Sequence, residues 1–267
     1  MITFSNIGNM GRLANQMFQF ASTVGIARKK GHSVKFPIEN FKTEMPDSYN
    51  GCKLLECFDI SDSYLSNFSV IHKEIKYRYN ESDFRYNSET ESIPDGTDLY
   101  GYFQNEKYFV DSSDEIRNCF TFKESIVNDA SGVIEDFKDS VSLHVRRGDY
   151  VNQQGHHPLQ SIEYYSKALQ LIGASNVFVF SDDIGWCKEN LTLPGFNFNF
   201  VDLENPYQSM YLMSMCENNI IANSSFSWWG AWLNRNQNKK VVGPKLWLGG
   251  EIKKDTSEIL PENWVSI

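Results

Sequence analysis

Apolar and polar positions change period several times along the chain, and each change predicts an element. Residues 2–6 read as a short strand. From Leu13 the apolar positions Met17, Phe20, Ala21, Val24 and Ala27 fall at helical spacing. Arg28, Lys29 and Lys30 suit the negative end of that helix, and Gly31 is a natural stop. Ser33-Val34-Lys35-Phe36 follows as a second strand, so the chain opens as a βαβ unit. Residues 37–95 keep no clear period. They are rich in Ser, Asn, Asp and Tyr, are broken by Pro37, Pro46 and Pro94, and read as irregular structure or a few weakly periodic helices. Leu99–Phe103 predicts a strand, Gln104–Phe109 the start of a helix, and 112–138 further helix interrupted near Gly132.

The second half alternates more sharply. Val141-Ser142-Leu143-His144-Val145 switches between aliphatic and polar residues as a strand does. Strands are also predicted at 176–183, 197–202, 220–222 and 240–244. Helices are predicted from Ser161, from Asn205-Pro206 through Tyr211 to Cys216, and across Trp228, Trp229, Trp232 and Leu233. Asn205 is a helix-capping residue followed by proline at the first helical position. Strand–helix alternation of this kind indicates a parallel α/β domain, with ligand loops along the carboxyl edge of its sheet. The division expected is 1–138 and 139–267.

Three of these strand ends carry chemistry. The strand from Val141 ends in Arg146, Arg147, Gly148 and Asp149, with His144 inside it. The next ends in Asp182 and Asp183, and a third leads through Asn223, Ser224, Ser225 and Ser227 into a helix. The guanidinium fork matches phosphate oxygens, and hydroxyl residues at a helix N-terminus make an anion site, so together they suit a diphosphate. Each part also has a plainer reading: Ser224 as a helix cap, Asp182 and Asp183 as the start of a helix, the arginines as partners of Asp149. Arg147-Gly148-Asp149 has the form of an adhesion tripeptide, but nothing indicates the exposed hairpin of a secreted protein that this would need. In the first half, Arg12, Asn15 and Gln16 lie where a glycine-bearing loop enters a helix, without the G-x-G-x-x-G spacing of a dinucleotide fingerprint.

Composition narrows the ligand. The net charge of −9 over 267 residues argues against nucleic acid as a partner, while leaving room for a basic pair inside a cleft. No apolar run approaches the ~18 residues a membrane span needs. The N-terminus lacks the pattern of a signal peptide. Five scattered cysteines have no histidine spaced to complete a zinc site. A cytoplasmic protein without structural metal is expected, with peripheral attachment to a membrane left open.

His144-Val-Arg146-Arg147-Gly-Asp149-Tyr150, Phe180-Ser-Asp182-Asp183 and Asn223-Ser-Ser-Phe-Ser-Trp-Trp-Gly-Ala-Trp-Leu-Asn234 resemble the α-1,2-fucosyltransferases of glycosyltransferase family 11. Gly11-Arg-Leu-Ala-Asn15-Gln16-Met-Phe-Gln19 resembles that family's first motif, with Ala14 where the family usually has glycine. The resemblance runs from the first loop past residue 240, and the Asn-Ser-Ser-Phe-Ser-Trp-Trp block is its most specific part. It implies a GT-B fold of two Rossmann-like domains facing a cleft, a GDP-fucose donor, inversion at the anomeric carbon and no essential metal. The implied acceptor is a β-galactoside-terminated oligosaccharide or lipid-linked glycan. It further implies that Arg146 holds the diphosphate and that His144 lines the nucleotide pocket. Asp182 or Asp183 would meet guanine, and Ser224, Ser225 and Ser227 would help to hold the phosphates. Asn15, Gln16, Arg147 and Asn223 complete the candidate donor site. Asp149 is the first candidate for the general base, with His156 and His157 as alternatives. Two other readings stand beside this one: a fucosyltransferase of another linkage, and a non-catalytic nucleotide-sugar- or carbohydrate-binding protein.

Overall fold

The computed structural model describes residues 1–41 and 51–267. Pro46, one of the breaks read in the sequence, lies outside the described residues. The chain divides into two compact units, Met1–Lys123 with Ser257–Pro261, and Glu124–Thr256 with Glu262–Ile267.

In the first unit, β1 (Ile2–Thr3) pairs in parallel with β5 (Thr97–Tyr100), and β5 with β4 (Tyr77–Asn80). β2 (Phe36–Pro37) pairs with β3 (Leu65–Ser66), and a parallel bridge from Val34 to Ile2 brings that pair to the other side of β1. The first strand is shorter than the sequence suggests because the backbone turns after Thr3, the Phe4 carbonyl accepting from the Ile7 amide. Helix α1 (Leu13–Lys29) is buried along nearly its whole length, including Gln16, Gln19, Ser22 and Thr23. The same unit holds the short helices α2 (Ile38–Phe41), α3 (Leu54–Cys57), which packs on α1, α4 (Phe68–Glu74) and α5 (Ser113–Cys119). The helix expected from Gln104 is a single 3-10 turn, Glu106–Tyr108, started by the Asn105 side chain accepting from the Lys107 amide.

The second unit opens with α6 (Glu124–Ala130), which packs on α9 (Pro206–Met215). That packing puts the division in the structure at 123/124, ahead of the 138/139 read from the sequence. Its sheet has six parallel strands: β6 (Ser140–Val145), β7 (Asn176–Ser181), β8 (Asn197–Phe200), β9 (Asn218–Ile220), β10 (Val241–Gly243) and β11 (Val265–Ser266). Their order across the sheet is β11-β10-β9-β6-β7-β8. Counted from β6 this is the doubly wound order 3-2-1-4-5-6. The winding reverses between β6 and β9, and ligands bind at such a reversal, beyond the carboxyl ends of the strands.

Every residue of β6 is buried, as expected of a central parallel strand. Helix α7 (Ile162–Ile172) presents Tyr165, Ala168 and Leu169 to Val141, Leu143 and Val179 in one core cluster. Ser161 caps it and Gly173, at φ +77°, ends it. Helix α8 (Ile184–Asn190) follows β7, and α10 (Ser225–Leu233) follows β9. Trp228 stacks on Trp232 and meets Trp229 and Trp264 at 5.0 and 5.3 Å between ring centroids, which roots α10 in the core. The aromatic residues of this segment are therefore core rather than a sugar platform.

Candidate functional site

The carboxyl end of β6 places Arg146 and Arg147 beside the β6/β9 reversal. Burial of the strand fixes where their backbones leave the sheet. Arg146 reaches two carboxylates at once, Nη1 donating to Asp182 and Nη2 to Asp149. Its guanidinium also lies 4.9 Å from the ring centroid of Tyr150. Asp182 comes from the end of β7 and additionally accepts from the Arg147 backbone amide at 2.8 Å. Gly148 makes this approach feasible, since a Cβ there would run into the Asp182 carboxylate.

Arg147 is held differently. Its Nε donates to Asp183 at 3.0 Å and its guanidinium lies 3.9 Å from the Trp186 ring centroid. Asp183 also caps α8, accepting from the Trp186 amide. Arg147 thus ties the end of β6 to the start of α8, whereas Arg146 lies over Tyr150, whose hydroxyl reaches Asn223 beyond β9. The two carboxylates expected to meet guanine both hold arginines.

Across the reversal, Ser224 caps α10 by accepting from the Phe226 amide, and Ser227 donates to the Ser224 carbonyl. Ser225 is the first residue of that helix. The start of α10 therefore offers backbone N–H groups and the positive end of a dipole at the same edge as Arg146. Tyr150 joins the two sides, its hydroxyl donating to the Asn223 carbonyl at 3.2 Å. The Asn223 side chain does not remain available for a ligand. Its Nδ2 donates to the carbonyls of Pro158 and Trp247, and its Oδ1 accepts from Gln160, so it clamps two loops onto the Ser-rich turn.

His144 is buried, 5.7 Å from the Phe226 ring, and its Nδ1 has no hydrogen-bond partner among the described residues. Burial, and secondarily the Arg146 charge, push its pKa down to about 3, so the imidazole is neutral. His157 stacks on Tyr150 at 4.5 Å, and burial lowers its pKa. His156 lies farther out and pairs with Glu251 at 3.4 Å.

In the first unit, Gly11 adopts φ +73° where the loop enters α1, and a Cβ there would collide with the Asn15 side chain. Asn15 accepts from Gln104 at 2.8 Å. Gln16 is fully buried, contrary to the ligand-facing role read from its sequence position. Its Nε2 donates to the carbonyls of Gly11 and Gly51, and its Oε1 accepts from the Lys53 amide. Every polar atom of that side chain supports the loop.

The structure thus brings His144, Arg146, Asp149, Asp182, Ser224, Ser225 and Ser227 to one edge of one sheet. Gly148 and Tyr150, quoted in the sequence motif but given no role, help to build that edge, as do Gln160 and Trp186, which were not singled out from the sequence. The available signal was slight: aromatic residues close in sequence to Arg146 and to Asp183. No group of three or more His, Cys, Asp or Glu side chains that could hold a metal occurs among the described residues. No helix among them is long and apolar enough to cross a membrane.

The sequence profile of Glycosyl transferase family 11 matches residues 2–267. The chain is 31% identical to an alpha-1,2-colitosyltransferase of Escherichia coli over 96% of each chain. It is 34% identical to the Escherichia coli O-antigen biosynthesis glycosyltransferase WbnK, over 66% of this chain and 62% of that one. It is 26% identical to galactoside alpha-(1,2)-fucosyltransferase 2 of Oryctolagus cuniculus, over 85% of this chain and 66% of that one. The match to each of the last two spans less than two thirds of the relative's length. Among solved structures, fucosyltransferase NodZ from Bradyrhizobium has a TM-score of 0.53 at 12% identity, covering 86% of this chain and 92% of that one. NodZ is an alpha-1,6-fucosyltransferase, and one structure of it was soaked with GDP-fucose. At that identity the likeness concerns architecture: a mixed α/β fold related to GT-B fucosyltransferases.

Proposed function

We propose, from the premise that the chain belongs to glycosyl transferase family 11, that it transfers L-fucose from GDP-β-L-fucose to the 2-hydroxyl of a terminal β-galactoside, with inversion and without an essential metal. The observation that carries this reading is the Arg146 fork at the β6/β9 reversal, on the same edge as the N-terminus of α10. Negative charge develops on the departing β-phosphate, and a guanidinium with helix N–H groups stabilises it where it forms. The transition state at fucose resembles an oxocarbenium ion, as in other glycosyl transfers. Inversion requires the acceptor hydroxyl to attack from the face opposite GDP and to lose its proton to a base. Asp149, beside Arg146, is the carboxylate we assign to that role. His144 lines the nucleotide pocket as a neutral imidazole, and Ser224, Ser225 and Ser227 help to hold the phosphates.

On this reading the chain follows the GT-B plan of two Rossmann-like domains. The second unit, with the six-stranded sheet, takes the donor; the first serves the acceptor. We also place the protein in the cytoplasm, which cell fractionation tests. The activity is tested by incubation with GDP-fucose and a panel of β-galactosyl acceptors, with the linkage of the product read by NMR. A fucosylated product linked elsewhere than O2 overturns the linkage, and GDP-fucose binding without any product overturns the enzyme.

The colitosyltransferase relative favours a second reading, in which the donor sugar is colitose rather than fucose. Offering both GDP-sugars in one reaction separates the two by which product accumulates.

A further inference from the structure

The donor reading depends on Arg146, and the two carboxylates that bind it fix only part of its geometry. Asp182 engages Nη1 and Asp149 engages Nη2, which sets where the edge of the guanidinium lies. Those bonds restrain only weakly the tilt of the plane about the line joining the two nitrogens. Tyr150 supplies a further restraint, its ring centroid 4.9 Å from the guanidinium. Tyr150 is itself held at two points. The His157 imidazole stacks on its ring, 4.5 Å away and 13° from parallel. Its hydroxyl donates to the Asn223 carbonyl at 3.2 Å, one residue before Ser224, which caps α10. Burial raises the pKa of the phenol, so it stays protonated and keeps that bond near neutrality. Asn223 is a firm anchor, because its side chain binds the carbonyls of Pro158 and Trp247 and accepts from Gln160. One phenol ring therefore spans from the guanidinium to the start of α10.

We infer that Tyr150 is a positioning residue for the transfer: it sets the tilt of the Arg146 guanidinium and its distance from the α10 N-terminus, so that both meet one phosphate group. This rests on the donor reading above and names a residue that acts through Arg146. A planar fork and backbone N–H groups hold the same diphosphate only when they stand at a fixed separation. The α10 end is rooted in the core by the Trp228, Trp229 and Trp264 rings. Arg146 stands at the end of a flexible stem, so its stiffness has to come from contact. The ring provides that contact without adding the negative charge that a third carboxylate would bring to an anion site. Its geometry matters most as charge develops on the departing β-phosphate, where a misaligned donor contributes least.

The test is a double-mutant cycle of Tyr150→Leu with Arg146→Lys, with circular dichroism confirming each fold. Tyr150→Leu should lower kcat about thirtyfold to a hundredfold, the cost of misplacing a reacting group by about 1 Å. Calorimetry should show GDP binding weakened about tenfold and guanosine, which has no diphosphate, binding unchanged. Tyr150→Phe keeps the ring and loses only the bond to Asn223, so it should restore kcat to within about fivefold of wild type. In the Arg146→Lys background, Tyr150→Leu should cost less than about threefold more, because the group it positions is gone. Full additivity of the two losses overturns the positioning, as does guanosine binding weakened as much as GDP binding. If the leucine variant does not fold, Tyr150→Phe carries the cycle with its smaller effect. A ligand-free readout keeps this apart from the donor reading: NMR relaxation should show the Arg146 Nε–H group more mobile in the Tyr150 variant than in wild type. Equal mobility overturns the positioning, whereas wild-type protein that binds no GDP overturns the donor reading instead.

Discussion

Replacing Arg146 by lysine keeps the positive charge and removes the fork, and the structure sets the size of the effect. The guanidinium donates to Asp149 and Asp182 through different nitrogens and lies over the Tyr150 ring. An ammonium on a flexible stem cannot bridge both carboxylates and present a planar pair of donors to a phosphate. Each charge-assisted hydrogen bond contributes about 1.5–3 kcal/mol, and the ring contact about 1 kcal/mol. If the variant keeps one of the two donors that the fork offers a phosphate, the loss is about 2.5–4 kcal/mol of transition-state stabilisation, or roughly 10²–10³ in turnover. The assay is initial-rate kinetics at saturating acceptor with GDP-fucose varied, alongside calorimetry with GDP. The loss should fall mainly on kcat, because the charge on the leaving phosphate is greatest in the transition state. Turnover within about threefold of wild type, from a variant with unchanged circular dichroism, would remove Arg146 from the chemistry.

Gly148→Ala should cut turnover about tenfold or more in a folded protein, since the added methyl displaces the Asp182 carboxylate from Arg146; unaltered kinetics would show that the Asp182 contact is dispensable. His144 gives a stability prediction with a definite sign. Its folded pKa is pushed down to about 3 from 6.5, so between these values the unfolded chain binds a proton that the folded chain refuses. Its contribution is therefore retained above pH 6.5 and lost as pH falls, by about 2 kcal/mol between pH 7 and pH 5. Urea unfolding at the two pH values should show that much less pH dependence in His144→Gln, and equal slopes in both proteins would refute the assignment. Transfer should persist in EDTA; activity abolished by chelation and restored by manganese would contradict the metal-independent reading.

The sequence alone determined the parts that depend on local rules. The alternation at 141–145, the capping Asn205-Pro206 pair and the helical spacing after Leu13 each led to the element observed, because period and capping are properties of neighbouring residues. The presence of arginines, carboxylates and small hydroxyls at three strand ends was legible for the same reason. Residues 37–95 were not legible, since the described elements there are short, have no period of their own and pack on parts distant in sequence, α3 on α1, α4 on β2 and β4 on β5. Tertiary structure alone decided the division of labour between residues of like chemistry. Arg146 and Arg147 are adjacent and identical in type, yet Trp186 and Asp183 pin one while the other lies over Tyr150. Gln16 and Asn223 look like ligand residues, but carbonyls distant in sequence engage their amides. Asp149 was legible as a local partner of Arg146, but only the fold shows that β7 delivers Asp182 to the same guanidinium. Hydrogen bonds and ion pairs between strands far apart in the chain set these roles, and no spacing within one segment encodes them.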